Sequence, residues 1–259
     1  MLGAIIGDIA GSRYEFDNLT PEALGQMGEN FEIMSYGCDF TDDTVCTVAV
    51  ADAVLSGKDY GSALRDWCRR YPAPKGGYGG RFRTWIWSDR PEPYGSFGNG
   101  CVMRVSPVGF LFEDERTVAA EARRSSAVTH NHEYALNGAE LVATAIFRLR
   151  HGAPKETAAL NVQKAFGRLP EYVPFSNPFD ESVMNAVPVA VSCFLASDSF
   201  EDAIRRSIIV GGDTDTIGAV VGALAEAHYG IPAPFRAKAL AFLPEEMREV
   251  VEGSVKVGA

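Results

Sequence analysis

Two short acidic segments hold the densest potential for chemistry in this sequence. The first is FTDDTV, with Thr41, Asp42, Asp43 and Thr44; the second is GGDTDTIG, with Asp213, Thr214, Asp215 and Thr216. Each stands directly before a helical apolar stripe. One residue of each can therefore act as an N-cap, and an acid in the first turn favours the positive helix end. A cap uses one side chain, yet each segment offers at least three hard oxygens. Consecutive residues of a formed helix point about 100° apart. Neighbouring Thr and Asp side chains therefore converge only where the chain is still turning into its helix. If the two helix starts meet, four carboxylates face one another and repel in the absence of cations. Oxygen donors without His or Cys select hard ions, Mg²⁺, Mn²⁺ or Ca²⁺, over Zn²⁺ or copper. With Glu15 as a fifth acid, one divalent ion leaves a charge of about −3 and two leave about −1, which favours a two-metal site.

Three further features bear on chemistry. In SFGNGCVMR, Gly98-Asn99-Gly100 can take positive φ, so that successive N–H groups form an anion nest; the same tripeptide also makes an ordinary tight turn. In VTHNHEY, His130 and His132 have the spacing of metal ligands. The plainer alternative is that Thr129 or Asn131 caps the next helix. With carboxylates forming the metal shell, His130 reads best as a hydrogen-bond donor to a ligand oxygen. The five cysteines (38, 46, 68, 101 and 193) are scattered and never in CxxC spacing. They read as reduced, buried thiols, with Cys101 the best placed for a nucleophile.

The elements that must position these groups are helices. Stripes at 3–4 spacing run through Val45–Leu55, Leu64–Tyr71, Leu136–Phe147, Phe200–Ile208 and Ile217–His228, the last closed by Gly230 and Pro232. No alternating run with hairpin signals is present. The one strand-like stretch, Val105–Phe112, contains Pro107, which demotes it. The reading is all-α, a single domain over residues 1–259. Near the start, Gly3, Gly7 and Gly11 recur every fourth residue. Asp8, Arg13 and Glu15 exclude a membrane span there, so the glycines admit a second helix at close range. Two segments read as long functional loops, Tyr71–Gly100 and Leu169–Ser182, both rich in Gly, Pro and aromatic residues.

Composition narrows the partners. The 259 residues carry 24 basic and 34 acidic side chains, a net charge of −10. That balance disfavours a nucleic-acid backbone or an anionic membrane as partner. No apolar run reaches the ~18 residues of a membrane span. Met1 leads straight into LGAIIGDIAG without a basic stretch, and the expected location is cytoplasmic.

In order, GDIAGSRYEF, FTDDT, GNGCVMRVSP, THNHEYALNGA and SDSFEDAIRRSIIVGGDTDTIGAVVGALAEAHYGIP resemble the ADP-ribosylglycohydrolase family, which includes the dinitrogenase reductase-activating glycohydrolase. The likeness runs from Leu2 to Pro232. It implies an all-α fold of orthogonal helices with a dinuclear centre, usually Mg²⁺ and sometimes Mn²⁺. It further implies that Thr41, Asp42, Asp43, Asp213, Asp215 and Thr216 are metal ligands, with Asp215 bridging. Glu15 matches an acid that approaches one metal, and Gly98, Asn99, Gly100 and His130 match positions near the diphosphate and ribose. The implied reaction is hydrolysis of the bond from ADP-ribose to a protein side chain or small-molecule acceptor, releasing ADP-ribose. Glu15, Asp42 or Asp43 would guide the water. Tyr78, Phe97, Tyr172 and Phe175 are candidates to stack on adenine, and Tyr71–Gly95 would face the leaving group. Cys101 and Glu133 depart from residues common in the family (alanine and proline). A dinuclear metal phosphoesterase acting on a nucleotide and a non-catalytic ADP-ribose binder are the alternatives.

Overall fold

The glycine repeat at the start of the chain is the hinge of the architecture. In a computed structural model, which describes residues 1–16, 19–28 and 31–257, helix α1 (Leu2–Gly11) is buried on every side. The remaining α-helices are α2 (Pro21–Met27), α3 (Asp42–Ser56), α4 (Tyr60–Arg70), α5 (Gly80–Trp87), α6 (Gly100–Met103), α7 (Ser106–Leu111) and α8 (Glu115–Ala127). They continue with α9 (Glu133–Arg150), α10 (Val162–Phe166), α11 (Val183–Ala196), α12 (Phe200–Ile209), α13 (Thr214–Tyr229), α14 (Ala233–Phe242) and α15 (Glu245–Val257). Among the described residues no β-strand forms. Two isolated bridges, Thr41 with Lys75 and Gly98 with Ser182, pin loops beside the two segments singled out above.

Helix α1 lies antiparallel against α13 with backbone touching backbone. A Cβ added to Gly3 would sit 2.2 Å from the carbonyl oxygen of Gly222, one on Gly7 1.8 Å from that of Gly218, and one on Gly11 2.1 Å from that of Thr214. Only glycine fits at such a distance, since real Cβ contacts this short essentially never occur. The seam has a positional consequence. The end of α1, and Glu15 four residues beyond it, meets the start of α13, where the second acidic segment lies. Thr214 Oγ1 closes the junction by donating to the Gly11 carbonyl at 2.9 Å.

The five sequence stripes fall within or at the edge of α3, α4, α9, α12 and α13. Val105–Phe112, demoted as a strand by Pro107, holds helix α7: Pro107 falls in the first turn, where its missing N–H costs nothing. One segment differs from expectation. The presumed loop Tyr71–Gly100 contains α5, which buries Phe82, Trp85 and Ile86 at helical spacing. The segment Leu169–Ser182 is irregular as expected. It is strapped over the end of α12 by Phe175 N–H to Ile209 O at 2.8 Å and Asn177 N–H to Val210 O at 3.1 Å.

Candidate functional site

Three chain segments deliver carboxylates to one place. The α1–α13 seam brings Glu15 together with Asp213 and Asp215, and their ligand oxygens lie within 4.8 Å of one another. Helix α3 brings in Asp42 and Asp43. Thr41 Oγ1 and Thr216 Oγ1 both donate to Asp43 Oδ2 at 3.4 Å, so Asp43 ties the two acidic segments together. Glu15, Asp42, Asp43, Asp213, Asp215 and Thr216 line a cavity of about 340 Å³ together with Gly98, Asn99, Gly100 and His130. All the site residues of the sequence reading except Thr41 line it; Thr41 is buried behind Asp43.

The capping account of the acidic segments fails at the residue where it looked simplest. Asp213 is the N-cap of α13 by position, yet its side chain makes no cap hydrogen bond. It accepts instead from Asn99 Nδ2 at 2.6 Å. At α3, Thr41 caps through its hydroxyl, accepting from Asp43 N–H at 3.1 Å. Asp8, which sequence reasoning used only to exclude a membrane span, holds this helix start. One oxygen accepts Thr41 Oγ1 at 2.7 Å. The other accepts the N–H groups of Thr41 and Thr44 at 3.0 Å each and Thr44 Oγ1 at 2.5 Å. The only sequence signal for this role was an acid inside an otherwise apolar helix.

The cluster is electrostatically loaded. Burial, followed by mutual repulsion, pushes the carboxyls of Asp43 and Asp215 well above the usual range. Burial does the same to Asp42, with Cys46 and neighbouring acids adding to it. Glu15 is pushed up to about 7 by burial and then by Asp213, Asp8 and Glu181. Asp8 rises to about 6 through burial, held down from further by its hydroxyl and amide donors. No Lys or Arg pairs with Asp8, Asp42, Asp43, Asp213 or Asp215 among the described residues. Asp43 Oδ1 is buried without a hydrogen-bond partner. Buried carboxylates with an orphaned oxygen and no basic partner are what a hard cation site requires. The donor set therefore fits a divalent metal.

Other expectations are corrected by the geometry. Gly98-Asn99-Gly100 forms no nest of positive-φ residues: Asn99 has φ −75°, and neither glycine is in the left-handed region. The Gly98 N–H donates to Ser96 Oγ at 3.2 Å and that of Asn99 to Glu181 O at 2.7 Å. These glycines serve close approach instead. A Cβ on Gly100 would come within 3.1 Å of the His130 ring. His132, not Thr129 or Asn131, caps α9, its Nδ1 accepting from Tyr134 N–H at 3.2 Å. The HxH pair is thus divided, one ring on a helix end and the other in the cavity. Cys101 is buried, its thiol pushed up to about 11 by burial, and all five cysteines are free and buried. Of the aromatic candidates, Tyr78 lines the cavity and Phe97, exposed, does not. Tyr172 lines a second cavity of about 330 Å³, and Phe175 lines neither. Residues missed by the sequence reading are Asp8, Arg81, Arg104 and Glu181; the last three line the cavity.

Comparison with known proteins agrees with this arrangement. The family model described as ADP-ribosylglycohydrolase matches residues 1–257. The chain is 28% identical to "ADP-ribosylarginine hydrolase Tri1" of Pseudomonas putida (strain GB-1), over 89% of this chain and 70% of that protein. It is 25% identical to "ADP-ribosylhydrolase ARH3" of Homo sapiens, over 98% of this chain and 88% of that one. A solved structure titled "ADP-ribosylglycohydrolase-related protein complex" superposes with a TM-score of 0.73 at 25% identity, covering 100% of this chain and 97% of its own. Helices alone, a carboxylate cluster at the meeting of two helix starts, and a full-length match of the family model lead to one conclusion: the chain belongs to the ADP-ribosylglycohydrolase family.

Proposed function

We propose that this hydrolase cleaves the bond between the anomeric carbon of ADP-ribose and a modified protein side chain or other acceptor, using two Mg²⁺ ions, with Mn²⁺ as substitute. Hydrolysis of ADP-ribosyl linkages follows from family membership. The observation that carries the metal reading is the convergence of half-buried Glu15 with buried Asp213 and Asp215, joined through Asp43 to the first acidic segment. Thr41, Asp42, Asp43, Asp213, Asp215 and Thr216 would hold the ions. When bound, hard divalent ions supply Lewis-acid polarisation of ribose oxygens and acidify water.

The chain's own residues carry the remaining steps. The cavity wall of Gly98, Asn99, Gly100 and His130 would hold the diphosphate and ribose, placing the anomeric carbon toward the carboxylates. Cleavage passes through an oxocarbenium-like state, which the surrounding negative charge favours. Glu15 is the proposed proton acceptor for the attacking water. It lines the cavity and stands on a turn, not on a helix, beside Asp213 and Asp215, within reach of a water held next to the ions. Asp43 faces the hydroxyls of Thr41 and Thr216, a setting suited to holding an ion more than to moving a proton. Gly76–Phe82 and Tyr94 line the cavity as well, and would face the leaving group.

The test measures ADP-ribose release from arginine-linked and serine-linked conjugates, with Mg²⁺ and then after exhaustive chelation. Activity is expected on at least one linkage and is expected to vanish with EDTA and return with Mg²⁺. Equal rates after chelation would remove the metal from the mechanism.

A further inference from the structure

His130 is held by more contacts than its place in the cavity needs. Its backbone N–H donates to Ser126 O at 2.8 Å, and its carbonyl accepts from Ser126 Oγ at 2.9 Å. Its Nδ1 lies 2.7 Å from Thr129 Oγ1. Thr129 is fully buried and Arg104 very nearly so, and Arg104 Nη2 donates to Thr129 Oγ1 at 2.7 Å. Arg104 is unusual in its own right. It is the largest fully buried side chain, pairs with no carboxylate among the described residues, leaves its Nε without a partner, and sets its guanidinium 5.4 Å from the Phe82 ring centroid.

The proton order along this chain of three groups follows from valence. A guanidinium only donates, so the Arg104 contact occupies a lone pair of the Thr129 hydroxyl. That hydroxyl still has its own proton to place, and among the described residues its one other hydrogen-bond partner is His130 Nδ1. If Nδ1 carried a proton, it and Arg104 would occupy both lone pairs of the Thr129 hydroxyl, whose own hydrogen would go unpaired inside a buried site. Nδ1 is therefore the acceptor, and the ring proton resides on Nε2. Nε2 has no protein partner among the described residues and faces the two glycines; a Cβ would lie 3.1 Å from it at Gly100 and 3.6 Å at Gly98. The absence of side chains there keeps the donor open to the cavity.

We propose that Arg104 and Thr129 are positioning residues that lock His130 as the neutral Nε2–H tautomer, a fixed single donor aimed at an acceptor oxygen of the bound ADP-ribosyl group. The ligand half of this statement rests on the function proposed above; the tautomer half does not. Burial and the nearby charges of Arg104 and Arg81 also hold the imidazole well below its usual range. The donor should thus persist unchanged through the neutral pH range.

The experiment uses the 259-residue protein labelled with ¹⁵N-histidine. Two-bond ¹H–¹⁵N correlations report the tautomer of each of the four histidines, with His130 assigned by its loss in His130→Gln. The ligand-free protein is expected to show Nε2–H at His130, as is Thr129→Ser. Thr129→Val is expected to lose the single tautomer and to raise the calorimetric ADP-ribose dissociation constant about tenfold, with Thr129→Ser restoring it. The Mg²⁺ titration should be the same in all three, which separates positioning from general damage. An Nδ1–H ring in the parent protein would overturn the proposal without recourse to any variant. So would Thr129→Val with unchanged tautomer and affinity. Should the parent show Nε2–H yet fail to bind ADP-ribose, the lock stands and the functional reading falls.

Discussion

Gly7→Ala is the most exacting test of how the site is assembled. The new Cβ would lie 1.8 Å from the Gly218 carbonyl oxygen and 2.2 Å from its carbon, where ordinary contact begins at 3.4 Å. Both obstacles are backbone, so no rotamer relieves them; α1 and α13 must separate by about 1.5 Å. Overpacking usually costs about 1–3 kcal/mol and occasionally more. A methyl between two backbones belongs at or above the upper end, and the better helix propensity of Ala returns about 1 kcal/mol. A net loss of at least about 2 kcal/mol is expected, or at least about 4–8 °C in Tm for a chain of this size. The same separation moves the start of α3, which Asp8 of α1 holds, away from Asp213 and Asp215 at the start of α13. Metal–ligand distances tolerate only about 0.2 Å, so Mg²⁺ affinity should fall at least about tenfold. Gly25→Ala is the control. Gly25 sits in α2 with nothing within 4 Å of an added Cβ, and the change should stabilise by up to about 1 kcal/mol. Scanning calorimetry gives the first quantity and Mg²⁺ titration the second. A Gly7→Ala protein as stable as its parent would refute the packing argument. One that is destabilised but binds Mg²⁺ undiminished would refute the claim that the seam places the ligands.

Three further outcomes are expected. Asp215→Asn should abolish the rise in Tm that Mg²⁺ confers, yet raise the Tm of the chelated protein at about pH 8, because it removes one of several mutually repelling buried charges. A lower Tm for the chelated variant would contradict this. Carboxyls raised in the fold bind protons that the unfolded chain releases, so the stability they confer is fully present below the ordinary carboxylate range and is lost as pH rises through about 6 for Asp8 and about 7 for Glu15. Chelated protein should therefore gain stability on acidification from about pH 8 to about 6.5, and saturating Mg²⁺ should cancel the gain. Below that range His130, held neutral in the fold, opposes the trend. Asn99→Ala removes the donor to Asp213 Oδ2; Mg²⁺ affinity should drop several-fold while Tm without metal changes by less than about 1.5 kcal/mol equivalent. Unchanged affinity would mean that Asn99 does not orient Asp213.

Much of this protein is local information, and the sequence alone determined it. Periodicity along Val45–Leu55 and Ile217–His228 is a property of neighbouring residues, and so the helices α3 and α13 were legible. The placement of two acidic segments at helix starts was legible for the same reason, as was the small-residue face of α1. What required the tertiary structure is register between distant segments. Nothing local states that Gly7 meets Gly218 and not another small residue, because that alignment is decided by which backbone carbonyls can approach across the whole core. From it follow the meeting of Glu15 with Asp213 and Asp215, the capture of the α3 start by Asp8, and the hold of Asn99 on Asp213. The proton order at His130 is likewise nonlocal, since it depends on Arg104, a residue distant in sequence whose buried guanidinium donates to the Thr129 hydroxyl. Residue types specified what chemistry was available; long-range packing decided which of those groups share a cavity.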